Sequence, residues 1–182
     1  MYKILEQNIF SIDNFILIPI REEDIFHIKK WRNKQIKFLR QEKIINDEEQ
    51  RIYYENHIKS EFKKGAPKQL LFSILNKKKL VGYGGLVHID WRNRNGEISF
   101  LLKTSLYNDQ SYYDHSFNIF LRMIQEVARK ANLNKIFTYG YDISPYRFKP
   151  LKQQNFLKEA HLVKHVKVED EIKDVIIYSK FL

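Results

Sequence analysis

Cysteine is missing from all 182 residues, which excludes a disulfide framework, a thiolate nucleophile and any zinc site built on thiolates. Long apolar runs are missing as well. The longest, Phe15 to Ile20 and Leu70 to Leu75, fall far short of the roughly 20 residues that a membrane-crossing helix requires, and the first residues lack the pattern of a secretory leader. The expectation is a soluble, cytoplasmic chain. What is present argues for a packed fold. Hydrophobic residues make up 43%, with 13 Phe and 11 Tyr, which excludes intrinsic disorder and low-complexity chains as a class. No repeat, linker or shift in composition divides the sequence, so residues 1–182 are expected to form one domain.

Thirty-two Lys and Arg against 22 Asp and Glu give a formal charge of +10. Such a balance favours anionic partners, either phosphorylated cofactors, nucleotide-linked substrates or nucleic acid. The basic residues lack the Arg/Gly-rich or aromatic-interleaved arrangement of a nucleic-acid tract, which disfavours the last. The histidines are scattered without ligand spacing, so no metal is expected.

Along the chain, the apolar run Phe15 to Ile20 predicts a strand feeding a helix that carries Ile25, Ile28 and Trp31 at helical spacing. Asn46 with Glu49 three residues later is a capping-box signature for a second helix through Ile52, Tyr53, His57 and Phe62. Leu70 to Leu75, a charged turn and Leu80 to Asp90 predict an antiparallel hairpin. Gly82, Gly84 and Gly85 inside its second strand mark a bulge or a close approach. Asn95-Gly96 signals a turn before a strand over Glu97 to Leu102. Phe117, Phe120, Leu121, Ile124, Val127, Ala128 and Ala131 define the clearest amphipathic helix, with Asp109 or Ser111 as its cap. A strand over Ile136 to Tyr141, a short helix opened by Ser144-Pro145, and strands over Phe156 to Val166 and Val175 to Phe181 complete the order. The long helix between Glu97–Leu102 and Ile136–Tyr141 predicts a right-handed crossover with those two strands parallel, and the rest of the sheet antiparallel.

That order, strand, two helices, three strands, long helix, strand, short helix, two strands, resembles the GNAT superfamily of acetyl-coenzyme A dependent N-acetyltransferases over essentially the whole chain. Three stretches reinforce the likeness. Ile28-Lys29-Lys30-Trp31-Arg32-Asn33 looks like the first-helix "WRN" of a branch that holds sugar-nucleotide amine and ribosomal-protein N-acetyltransferases. Leu80 to Leu86 followed by Glu97-Ile98-Ser99-Phe100 looks like that branch's glycine-containing strand and "EIG" strand. Asn155-Phe156-Leu157-Lys158-Glu159-Ala160 is similar to its "GF..eg". The resemblance implies a mixed α/β fold whose mostly antiparallel central sheet, flanked by helices, holds one splayed parallel pair. It implies acetyl-coenzyme A as co-substrate. The pantetheine arm would pair with the backbone of Phe100, Leu101 and Leu102 as an added strand, and the pyrophosphate would lie at the start of the long helix.

The phosphate loop departs from the family. Its glycines are missing, since none occurs between Gly96 and Gly140, and the nearest alignment is Gln110-Ser111-Tyr112-Tyr113-Asp114-His115. Either amides around Gln110, Ser111, Tyr112 and Tyr113, with His115 near, still serve the coenzyme, or that site is weakened or lost. Asp114 in the first helical turn opposes a bound anion.

Amine acetylation requires a base and a proton donor. Glu97 matches the family's general-base glutamate and by alternation shares a face with Ser99 and Leu101. His88, on the neighbouring strand, is a second candidate for proton transfer. Leu151 stands where the family carries its acid tyrosine, so that role is either vacant or moved, to Tyr141 or Tyr146. The resemblance implies that Trp31, Arg32 and Asn33, with Arg40 and Tyr83, wall the acceptor side, where an Arg fork and a Trp face suit a phosphate and a ring. The expected activity is acetyl transfer to a primary amine on a small molecule, best a nucleotide-linked amino sugar for polysaccharide synthesis. The alternatives are a protein amino-terminal acetyltransferase of the ribosomal-protein type, whose groove needs no Arg32, and a non-catalytic nucleotide- or nucleic-acid-binding relative. A homodimer is left open.

Overall fold

The computed structural model describes residues 1–182. The hydrophobic periods of the sequence become eight strands and five helices. These are β1 Phe10–Ile12, β2 Phe15–Pro19, α1 Ile25–Lys34, α2 Asp47–Tyr53, β3 Leu70–Asn76, β4 Lys79–Asp90, β5 Asn95–Leu102, α3 Thr104–Tyr107, α4 Gln110–Lys130, β6 Lys135–Tyr141, α5 Lys149–Gln153, β7 Leu157–Val168 and β8 Glu171–Phe181. They form one sheet in the order β1-β2-β3-β4-β5-β6-β8-β7. Only β5 and β6 run parallel, the long α4 serving as the crossover.

The near-continuous apolar run of β3 reflects burial on both faces. Leu70, Phe72 and Ile74 join Phe117, Phe120, Leu121 and Ile124 of α4 in the main core. Leu71, Tyr83 and Leu101 point the other way, onto Ile25, Ile28 and Trp31 of α1 and onto Tyr54 and Ile58 beyond α2. The capping box forms as the sequence predicts, with Glu49 N–H donating to Asn46 Oδ1 at 2.9 Å and Asn46 N–H to Glu49 Oε2 at 2.9 Å. Past Tyr53 this helix widens into a π turn (Tyr54–Ile58) and then tightens into a 3-10 turn (Lys59–Lys63).

Gly84 of β4 faces α4, where a Cβ would meet Ser99 O at 2.4 Å and the Phe120 ring at 2.9 Å. The close approach read from the glycines is therefore that of strand and helix. One bulge sits beside Gly82, where pairing of β3 with β4 skips Val81; a second lies where pairing of β4 with β5 slips between Val87 and Asp90 and His88 takes a positive φ of 50°.

Two sequence expectations are corrected. Asn95-Gly96 does not make the turn. It is already strand, and Arg94 supplies the left-handed residue at φ 55°. Strand β1 escapes the hydrophobic pattern because three residues hold too little of it, although Asp13, at φ 52°, makes the hairpin turn to β2.

Candidate active site

The parallel pair is joined only at Asn95–Lys135, Gly96–Ile136 and Glu97–Phe137. Beyond that register β5 continues to Leu102 and β6 to Tyr141 without pairing, so the strands splay. The bond from Lys103 N–H to Val81 O, 2.7 Å, sets the parity of the β4–β5 ladder. Leu101 therefore turns its backbone groups to β4, whereas Phe100 and Leu102 turn theirs into the gap. One of these is already taken, because the buried Gln35 donates from Nε2 to Leu102 O at 2.9 Å. The expectation that Phe100, Leu101 and Leu102 all offer backbone to a ligand narrows to Phe100 and the N–H of Leu102.

A cavity of about 170 Å³ occupies the gap, lined by Ile98, Phe100, Tyr113, Tyr139, Tyr141 and Arg147 among others. That exceeds the roughly 150 Å³ pocket that admits benzene. Tyr113 lines this space, its ring in edge-to-face contact with that of Phe100 at 5.8 Å. His115 lies elsewhere, against Phe15 of β2 at 5.8 Å.

On the α1 side of the sheet a second cavity, about 900 Å³, holds Glu97, His88, Arg40, Arg32 and Ser99. The two cavities meet at Phe38, Leu39, Ile98, Phe100, Tyr139 and Tyr141. Glu97, next to the shared residue Ile98, lines the wide cavity and is only 6% exposed. Arg40 Nη2 donates to its Oε1, and the same guanidinium sits 4.8 Å over the Tyr139 ring. Burial pushes the Tyr141 phenol above its ordinary value, with the charge of Arg40 pulling the other way. His88 is exposed at the rim. Tyr146 is 52% exposed, and Leu151 is buried in the core.

A third cavity, about 320 Å³ and mostly apolar, lies between α1, α2 and the sheet and shares Arg32, Tyr53 and Ser99 with the second. Arg32 donates from Nη1 to the Tyr83 hydroxyl at 2.6 Å and from Nε to Gln41 Oε1 at 2.9 Å. Its two neighbours do other work. Trp31, 6% exposed, is a core anchor and lines none of the three cavities. Asn33 clamps the loop after α1, donating to Ile45 O at 2.8 Å and accepting from Ile45 N–H and Gln41 Nε2. The substrate contacts read from Trp31 and Asn33 are thus corrected to structural ones.

At the start of α4 the cap is Asp109, which accepts from Tyr112 N–H at 2.9 Å. Asp114 is held by Gln110 Nε2 at 2.5 Å and by Lys149 Nζ at 3.2 Å. Its charge is thereby matched. Ser111 is exposed, and the Tyr112 hydroxyl accepts from Asn76. No three His, Cys, Asp or Glu side chains converge to hold a metal, and no helix is long and apolar enough to cross a membrane.

Sequence reasoning missed Gln35, Tyr107 and Arg147, whose part in the gap has no local signature. It placed Arg40 on the acceptor wall without seeing its partner, which lies 57 residues away.

Comparison with known proteins agrees with this architecture. A spermidine N-acetyltransferase from Vibrio cholerae, in complex with CoA and spermine, superposes with a TM-score of 0.78 at 18% identity, over 92% of this chain and 95% of that one. The ribosomal L7/L12 alpha-N-protein acetyltransferase in complex with coenzyme A gives 0.76 at 14% identity, over 96% and 98%. A GNAT-family acetyltransferase from Bacillus anthracis gives 0.72 at 13% identity, over 95% and 98%. No curated protein sequence matches significantly. Residues 17–139 match the model of the acetyltransferase (GNAT) domain, and with two thirds of its length so matched the chain belongs to the GNAT family of acetyltransferases.

Proposed function

We propose that the protein transfers an acetyl group from acetyl-coenzyme A to the primary amine of a small molecule that also carries an anionic group, a nucleotide-linked amino sugar being the best example. The observation that carries the reading is the junction of the two cavities. The narrow one lies in the strand gap, the wide one opens on the acceptor side, Tyr141 stands where they meet, and Glu97 lines the wide one next to the shared residue Ile98.

The residues of the gap fit the coenzyme. Unpaired backbone of Phe100 suits an amide-bearing arm, and buried donors of Arg147 have no partner. Bound there, the coenzyme supplies an activated acetyl thioester. The chain's own part is to orient and to move protons. Glu97, its carboxylate fixed on one side by Arg40, accepts the proton of the incoming ammonium. Tyr141, kept protonated by burial, holds the proton that the leaving sulfur takes up.

The acceptor class follows from charge. Of the two carboxylates on the wide cavity, Glu97 is paired with Arg40, and Glu61 with Lys64 at 2.5 Å. Arg32 has no carboxylate partner and reaches both acceptor-side cavities. This arrangement suits an anion and repels a polyamine, despite the likeness to a spermidine enzyme. A protein amino terminus gives no role to the free charge of Arg32.

Isothermal titration with acetyl-coenzyme A tests the first half. Micromolar binding supports the reading, and absence of heat favours a non-catalytic relative. An acetylation screen of nucleotide-linked amino sugars, polyamines and peptides tests the second half, with Arg32→Gln expected to raise KM for the anionic acceptor alone.

A further inference from the structure

We propose that Arg147 seats the diphosphate of coenzyme A in this chain, in place of the glycine-built loop that the sequence lacks. The proposal rests on the acetyl-coenzyme A reading above and assigns that site a residue which its fold does not require.

Arg147 lies in the 3-10 turn Pro145–Phe148 and reaches back across the strand gap. Its Nη2 donates to Tyr107 O at 2.9 Å. The guanidinium carbon lies 3.5 Å from the centre of the Tyr107 ring and 4.3 Å from that of Tyr113, so the side chain is held between two aromatic faces at the front of α4. Its Nε and Nη1 are buried and meet no acceptor in hydrogen-bond geometry, only the neutral Tyr113 hydroxyl interacting with the guanidinium, and it forms no ion pair. Unsatisfied buried donors on a charged group demand an explanation. An anion entering the gap from the α4 side completes them.

The front of α4 is itself a poor seat. Asp109 has placed a carboxylate on the Tyr112 amide, which fills by a side chain the position where the helix end would attract a phosphate. Positive charge comes from the other wall instead. Arg147 points into the gap, while Lys149, two residues on, offsets Asp114. The gap thus has unpaired β5 backbone at Phe100 and at the N–H of Leu102 for an arm, and a cation without an acidic partner at its α4 end.

The test is titration calorimetry of the intact protein with coenzyme A and, separately, with pantetheine, which has the arm but no diphosphate. Arg147→Gln is expected to weaken coenzyme A binding about 10- to 100-fold, the loss of charge-assisted bonds, and to leave pantetheine binding unchanged. Arg147→Lys, which keeps the charge without the planar fork, should fall between. Thermal melts check that each variant folds. Equal losses for both ligands would show a merely structural arginine and overturn the proposal. So would unchanged or tighter coenzyme A binding, the latter marking Arg147 as a plug. If wild-type protein binds neither ligand, the acetyltransfer reading fails with it. If wild type binds coenzyme A and Arg147→Gln binds it equally, only the assignment of Arg147 fails.

Discussion

Replacing Glu97 by Gln separates chemistry from architecture on the wall of the wide cavity. The side chain sits at the last paired register of β5 with β6, and its Oε1 is the atom that Arg40 reaches. Gln has the same shape, and its carbonyl oxygen still accepts from Arg40, so the guanidinium keeps its partner. What is lost is one ion pair whose guanidinium is 45% exposed, worth less than about 1 kcal/mol. For a chain of this size that lowers Tm by roughly 2–4 °C at most. Turnover should respond far more. Removing a positioned proton acceptor costs about 10²- to 10⁴-fold, or about 3–5 kcal/mol of barrier. The assay is release of free coenzyme A thiol, followed from neutral to alkaline pH, beside a thermal melt of the same preparation. Wild type and variant should converge as rising pH deprotonates the free amine and makes the base dispensable. Turnover within about threefold of wild type at neutral pH would refute the role of Glu97, since so small a change corresponds to less than 1 kcal/mol.

Other outcomes follow from local geometry. Gly84→Ala drives a methyl into Ser99 O and the Phe120 ring, and overpacking of this kind costs about 1–3 kcal/mol, read as a lower denaturation midpoint with the coenzyme titration still measurable. Asn46→Ala breaks the capping box and costs about 1 kcal/mol; a change of a few tenths or less in chemical denaturation would mean that α2 is held by packing alone. Burial pushes Tyr107 up to about 12 and raises Tyr113 as well. A folded value above the unfolded one means that this stability is whole below about pH 10 and is lost as pH climbs through the raised values. Equilibrium unfolding should therefore weaken steeply in strong alkali, and Tyr107→Phe should make that slope shallower.

The order of elements was legible because it is written in local periods. The i, i+3, i+4 stripe of α4 and the double-faced run of β3 each needed only neighbouring residues to declare themselves, and from them came the crossover and the parallel pair. The same holds for the face shared by Glu97, Ser99 and Leu101, which alternation alone assigns; Glu97 and Ser99 line the wide cavity and Leu101 the strand gap. Local signals failed where two answers had similar local energies. Asn95-Gly96 is a good turn, yet Arg94 took the left-handed position because Asn95 and Gly96 pair with Lys135 and Ile136. Trp31 reads equally as a substrate platform or a core anchor until Leu71 and Tyr83 are seen packed in the same cluster.

By itself, then, the sequence determined the fold and the strand on which the carboxylate lies, since backbone conformation and hydrophobic period are properties of short stretches. Only the tertiary structure decided which charges meet. Arg40 finds Glu97, Gln35 caps the Leu102 carbonyl, and Arg147 settles between Tyr107 and Tyr113, each across tens of residues. Such pairings depend on distances that exist only after the sheet has closed, and no spacing along the chain encodes them.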